Sequence, residues 1–546
     1  MTITLFRARL IHTLNPARPQ ATHVAVREGI VLGAGTPAEL AGWGPATLDE
    51  RFADKVLVPG FVEGHTHLME GALWRHVYVG WHDRTDPDGR TWPGARSIAA
   101  VIERLREAQR ALPHPDTPLV GWGLDPIYFG NQRCSRADLD QVSRTRPIGV
   151  AHASLHILNV NSAALQAAGW LRPGIDHPGV PLGADGLPTG EMKGPEAMGA
   201  VADRVGLDRA ALAGDEDAVR RFARLCVRQG VTTATDLASP LPDGALEMLQ
   251  RVTAESDFPV RLVPLLRLMD QPPSATIARA AALRAESTDR LRLGRVKVVA
   301  DGSIQGFSAR LRPPGYHNGA PNGLWYIAPE QLAQAYELAL AQGVQIHTHT
   351  NGDEATELAI ETLTRALARH PSPDHRFTLQ HCQLASQAQM RRMKTLGMAV
   401  NLFANHHYYW GDEHYATTVG PERAERMNAC RSALELGLPM AIHSDAPVTP
   451  MSPLFTAWCA VNRLTGSGRV QGSHERISPA QALHAVTLGP AHTLHLDGEV
   501  GSIETGKRAD FAVLHDDPLA VEPAAIREVA VWGTVQAGRV FEAARA

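Results

Sequence analysis

The first 55 residues alternate apolar and polar side chains (Ile3, Leu5, Leu10, then His23-Val24-Ala25-Val26-Arg27) and are broken at Asn15-Pro16 and at Gly29. That is the period-two pattern of short antiparallel strands separated by turns. The last fifty residues have the same texture, in Ala509-Asp510-Phe511-Ala512-Val513-Leu514 and Val529-Ala530-Val531-Trp532-Gly533-Thr534-Val535. Chain ends often lie close in space, so residues 1–55 and 498–546 are expected to pair into one small β-sandwich domain. Between them stand eight short apolar runs, each ending in polar residues. They are Val56-Leu57-Val58, Val231-Thr232-Thr233-Ala234, Arg261-Leu262-Val263-Pro264-Leu265, Val296-Lys297-Val298-Val299, Val344-Gln345-Ile346-His347, Phe377-Thr378-Leu379-Gln380, Met398-Ala399-Val400-Asn401-Leu402 and Met440-Ala441-Ile442. Helical stretches such as 330–341 and 352–370 separate them, which predicts an α/β fold with a (β/α)8 barrel over residues 56–497. The first two runs are about 170 residues apart, so an insertion over roughly 70–215 must interrupt the barrel after its first strand.

Composition narrows the function classes. With 44% hydrophobic and 20% charged residues the 546-residue chain is ordinary globular material, neither disordered nor a coiled coil. The 53 basic and 57 acidic residues are dispersed, giving a formal charge of -4 and no basic face for nucleic acid. Five cysteines, odd in number and never in a C-x-x-C pattern, indicate a reduced, cytoplasmic protein without disulfides or cysteine zinc sites. The N-terminal stretch carries charges within its apolar residues, unlike a signal peptide, and no run of about 18 apolar residues follows to span a membrane. The 25 histidines stand out, because imidazole is a common metal ligand.

Several of them sit at strand ends. His65 and His67 follow the first run two residues apart, so on extended chain both imidazoles face one side and can meet one ion. His349 follows the fifth run, His381 the sixth and Asp445 the eighth. Imidazoles and a carboxylate delivered to one barrel rim describe a divalent site suited to Zn2+ or a related ion. His347 is read either as a ligand or as a residue of the barrel interior beside the site. Lys297, flanked by valines on the fourth run, must lose its charge or find a partner if buried. One solution is a carbamate formed with CO2, whose two oxygens can bridge two ions; the other is a salt bridge to a carboxylate.

These motifs resemble the amidohydrolase superfamily, and within it the amidohydrolase-3 branch that includes YtcJ-like proteins and N-substituted formamide deformylases. The resemblance runs from Val58-Pro59-Gly60-Phe61-Val62-Glu63-Gly64-His65-Thr66-His67 to Gly501-Ser502-Ile503-Glu504-Thr505-Gly506-Lys507-Arg508-Ala509-Asp510. It implies that His65, His67, His349 and His381 are metal ligands, that Lys297 in Lys-Val-Val-Ala-Asp-Gly-Ser is a carboxylated bridge between about two Zn2+ per chain, and that Asp445 is both ligand and catalytic acid-base. The insertion is similar to the branch's segment over the barrel mouth. Through it Trp122 and His156 are expected to touch substrate, as is Asp301 of the Asp301-Gly302-Ser303 loop. The following segment departs from the branch's Leu-Gly-Ser-Arg-Thr, so a substrate-orienting arginine is displaced to Arg310 or absent.

The implied chemistry is hydrolysis of a non-peptide carbon–nitrogen bond in a small molecule, most naturally an N-acyl or N-formyl amine. Metal lowers the pKa of water, hydroxide attacks the polarised carbonyl, and Asp445 carries the proton to the leaving nitrogen. His156 is expected either to stabilise the oxyanion or to serve as a capping or interdomain donor. Aromatic residues at the mouth (Phe403, Tyr408, Tyr409, Trp410, Trp122, Tyr128, Phe129) suit an apolar substituent or an interface between insertion and barrel. The alternatives are a heterocycle deaminase on the same scaffold and a catalytically silent ligand-binding homologue. A homodimer is the prior expectation for a soluble enzyme.

Overall fold

Seven of the eight apolar runs become barrel strands in the computed structural model, which describes residues 2–545 apart from 115, 131, 208–214 and 270. The strands, all parallel, are β1 (Phe61–Glu63), β2 (Val231–Ser239), β3 (Arg261–Arg267), β4 (Arg295–Val299), β5 (Gln345–Thr350), β6 (Thr378–His381), β7 (Ala399–Leu402) and β8 (Met440–Ile442). Pairing runs in chain order from β1 to β8. The ring then closes beyond the strand ends, where the Asp445 amide donates to the His65 carbonyl (3.0 Å) and the His67 amide to the Ala446 carbonyl (2.8 Å).

The remaining run lies elsewhere. Val56-Leu57-Val58 ends the 14-residue strand Ala46–Pro59 of the terminal sheet, and the barrel starts one residue later. This run is buried on both faces: Val56 and Val58 pack on the barrel core while Leu57 packs inside the terminal sheet. Two-sided burial makes it read like a barrel strand. Gly60 is the joint between the two sheets, and a side chain there would lie 2.1 Å from Thr232 Oγ1.

The terminal sheet has seven strands drawn from both chain ends, and it is mixed, because Ile3–His12 pairs parallel to Ala46–Pro59. The sandwich-like core comes from this one sheet curling on itself. Phe6, Phe52 and Phe511 pack inside it, and the Ala509 amide reaches the Gly29 carbonyl across the curl. Its attachment to the barrel is ionic as well as apolar. Arg261 at the start of β3 pairs with Asp510 at 2.7 Å, both side chains almost wholly buried, and Asp510 also accepts the Ala537 amide.

Between β1 and β2 a second sheet of five strands (Val77–Tyr78, Leu119–Leu124, Ile148–His152, Ile157–Val160 and Glu191–Lys193) stands over the barrel with helices on its faces. The stretch 208–214, near the expected end of the insertion, lies outside the described residues. Helix Glu216–Arg228 then leads into β2; it is capped by the Asp215 side chain on the Ala218 amide and buries Val219, Phe222, Ala223 and Cys226 against the barrel. At the opposite end of the barrel, Ala491, Leu494 and Leu496 plug the interior against Val62, Val263 and Leu265. None of the five cysteines forms a disulfide, and among the described residues no helix is long and apolar enough to cross a membrane.

Removing one partner of the Arg261–Asp510 pair leaves a buried charge uncompensated. Asp510→Asn is therefore expected to lower unfolding stability by about 3–5 kcal/mol, read by urea denaturation; a loss below about 1 kcal/mol contradicts the role given to this pair.

Candidate metal centre

The rim of the barrel that carries β1 to β8 outward gathers His65, His67, Lys297, His349, His381 and Asp445. His65 and His67 follow β1 in the bend at its end, and both Nε2 atoms lie 3.2 Å from the same oxygen, Asp445 Oδ1. The other carboxylate oxygen is 3.9 Å from His381 Nδ1. His381 and Asp445 both adopt positive φ (67° and 55°), a left-handed conformation that is uncommon outside glycine. It turns their side chains inward at the point where β6 and β8 end, and neighbouring backbone bonds such as Cys382 amide to Thr350 carbonyl hold it.

The proton positions follow from a fixed end point. The Thr493 carbonyl can only accept, so His347 donates to it through Nε2 (2.9 Å). Burial holds His347 far below the usual histidine pKa, so its ring is neutral and Nδ1 accepts from Gln380 Nε2 at 2.7 Å. Gln380 Oε1 is thereby turned to His65 Nδ1 (2.8 Å), which must donate, and Asn401 Nδ2 completes the oxygen at 3.0 Å. His65, also held neutral by burial, is left with its lone pair on Nε2, facing Asp445 Oδ1. Two lone pairs 3.2 Å apart repel unless a cation lies between them. The donor set thus fits a metal ion, and His347, with both nitrogens committed, stands behind the site.

Lys297 points inward from β4, opposite His347 in the strand register. It is 2% exposed and its ammonium has no hydrogen-bond partner, and burial pulls its pKa down to about 7. A salt bridge, the alternative reading for this lysine, is not formed among the described residues. His349 lies beside His381, ring centroids 4.5 Å apart, with Nε2 near the Gly302 carbonyl (3.3 Å) and the Asn351 amide group (3.1 Å). His156, half-buried just before strand Ile157–Val160 of the insertion sheet, is close enough for the charges of Asp445 and His67 to act on it.

Three residues expected to touch substrate have partners within the protein. Asp301 is fully buried and both its oxygens accept backbone amides, from Asn351, Gly352 and Arg310, so it shapes the loop over β4 and β5. Burial pushes its carboxyl up to about 7 despite those three donors. Arg310 is bound to Glu354 (2.9 Å) and the Gly323 carbonyl and lies over the Trp325 ring, which orients a loop. Trp122 is 1% exposed in the core of the insertion, packed on Trp74 and Tyr78 under the Arg84 guanidinium. Most of the mouth aromatics also serve the interface. Tyr128 donates to the Tyr409 carbonyl and Trp410 to Asp125, whose carboxyl burial raises to about 6.

Four residues near the centre were not singled out by strand-end spacing. Gln380 and Asn401 orient His65, and their signal is a polar side chain in an otherwise apolar strand. Glu63, pushed up to about 8 by burial, approaches the Ser444 amide (3.4 Å). His443, two residues before Asp445, has its ring 4.6 Å from that of His65.

Imidazoles and a carboxylate gathered at the C-terminal rim of a (β/α)8 barrel define a metal-dependent hydrolase. The chain belongs to the amidohydrolase family, whose model matches residues 53–541. It is similar to the putative amidohydrolase YtcJ of Bacillus subtilis, 25% identical over 98% of each chain. It is similar also to the N-substituted formamide deformylase of Arthrobacter pascens, 25% identical over 96% of this chain and 95% of that one. An uncharacterized metal-dependent hydrolase from Pyrococcus horikoshii has the same fold, with a TM-score of 0.73 at 20% identity over 96% of this chain and 99% of its own.

Gln380→Leu removes the acceptor that fixes the His65 ring while keeping an apolar filling. It is expected to weaken zinc binding about 10–100-fold in chelator competition, with the fold intact by circular dichroism. Unchanged affinity contradicts the orienting role.

Proposed function

We propose that this chain hydrolyses a non-peptide carbon–nitrogen bond of amide type, in an N-formyl or N-acyl amine, using Zn2+. The observation that carries the reading is the His65 lone pair facing the Asp445 carboxylate at 3.2 Å, an arrangement that needs a cation. His65, His67 and Asp445 would hold one ion and His349 and His381 a second, with Lys297 between. The buried amine of Lys297, whose pKa burial pulls down, adds to CO2 with loss of a proton; the carbamate so formed offers two oxygens that share one negative charge. When bound, the metal supplies Lewis acidity, polarising the scissile carbonyl and acidifying water.

Asp445 would carry the proton transfers. It accepts a proton from the attacking water and returns it to the nitrogen as the carbon–nitrogen bond breaks, giving a carboxylic acid and an amine. His156, reaching in from the insertion, would donate to the carbonyl oxygen as negative charge develops on it. Phe403, buried against His381, His406 and His443, backs the centre. The similarity to a protein named as an N-substituted formamide deformylase supports a formyl or short acyl group. Deamination is disfavoured because Lys297 is present and because the acidic residue that follows His349 after β5 is Asp353, which pairs with Arg423 at 2.9 Å and begins helix Asp353–Arg369.

Elemental analysis is expected to find about two zinc ions per wild-type chain and fewer in Lys297→Ala, with intact mass in bicarbonate showing one added CO2 in the wild type alone. Asp445→Asn is expected to cut kcat on N-formyl amines by at least about 10²–10⁴-fold. A wild-type chain that takes up no metal on resupply sinks the reading, and release of ammonia from amino-heterocycles without release of amines from N-acyl substrates would replace it by deamination.

A further inference from the structure

His443 enters the centre from a position outside the ligand pattern of strand-end histidines. It follows β8 and precedes Asp445 by two residues, and its side chain is fully buried. The ring stacks on His65 (centroids 4.6 Å, planes 22° apart) and on Phe403 (4.7 Å, 29°), and lies 5.0 Å from the ring of His381. Neither of its nitrogens has a hydrogen-bond partner among the described residues. Stacking cannot serve them, because the lone pair and the N–H of an imidazole lie in the ring plane. A buried polar atom without a partner is costly, so a histidine held this way needs a ligand for its lone pair.

One is within reach. A nitrogen of His443 lies within 4.8 Å of a nitrogen of His65 and of one of His381, and the second such group, His65–His67–Asp445, shares His65 with the first. His65 has one lone pair to give, because its Nδ1 is bound to Gln380. We propose that His443 is itself a metal ligand, binding the same ion as His65 Nε2. This rests on the hydrolase reading and extends it: the centre is richer in imidazole than Lys297, Asp445 and the other four histidines alone make it. A neutral nitrogen ligand favours zinc-like ions over the oxygen-seeking Mg2+ and Ca2+. It also lets this ion remain when Lys297 carries no CO2.

The test uses zinc and cobalt on the full chain. In crystals of the zinc-loaded wild type, anomalous scattering is expected to place an ion about 2.0–2.1 Å from a His443 nitrogen. A distance beyond about 3 Å overturns the proposal without any variant having to fold. In solution, His443→Asn is expected to lose more affinity for the tighter ion than the roughly 10–100-fold that follows loss of a group merely orienting a ligand. The visible spectrum of its cobalt form should shift as well. Wild-type-like affinity and spectrum in a folded His443→Asn refute the proposal while leaving the hydrolase reading intact; absence of metal from the wild type defeats both.

Discussion

The Thr493 carbonyl, at the closed end of the barrel, determines where protons sit at the open end. By taking the Nε2 proton of His347 it fixes the orientation of Gln380, and Gln380 fixes the tautomer of His65. Three hydrogen bonds thus transmit one donor–acceptor constraint through the barrel interior to a nitrogen that must present a lone pair. Each link is buried, so water cannot substitute for a missing partner, and each is polar where the surrounding strands are apolar. A metal centre demands this rigidity, since a ring free to flip would spend half its time offering a proton to a cation.

The same residues close the barrel. Strands β1 and β8 meet through the backbones of His65–His67 and Asp445–Ala446, so the seam of the ring and the ligand cluster are one structure. Positive φ at His381 and Asp445 is maintained because the surrounding ladder leaves no alternative path. The insertion is fastened over this seam by Arg84, which pairs with Glu70 and donates to the Pro447 carbonyl just past Asp445. The cover and the Asp445 segment are mechanically connected through that contact.

Strand periodicity and strand-end chemistry were legible in the sequence because both are local. His65, His67, His349, His381 and Asp445 lie within or just beyond their strands at one rim, and Lys297 points into the same barrel. What the sequence left open has local causes too. Val56-Leu57-Val58 is apolar on both faces and so mimics a barrel strand. Asp301 and Arg310 occupy the segment after β4, but their partners, the Gly352 amide and Glu354, come from the segment after β5. Trp122 looks like a mouth residue until the Trp74 and Tyr78 rings that enclose it are placed. His443 escaped because only the closed ring shows that its nitrogens have nowhere else to go.

The seam also has a temporal meaning. His67 and Asp445 are 378 residues apart in sequence, and the strand that flanks the joint at Gly60, Phe511–Leu514, comes later still. Loop closure over such a span is entropically slow, and a chain made from its N-terminus cannot close the ring until nearly all of it has been synthesised. The cluster of His65, His67 and Asp445, which could hold a metal ion, is therefore assembled late in the biogenesis of this protein, and an ion held there would mark a barrel whose two ends have met.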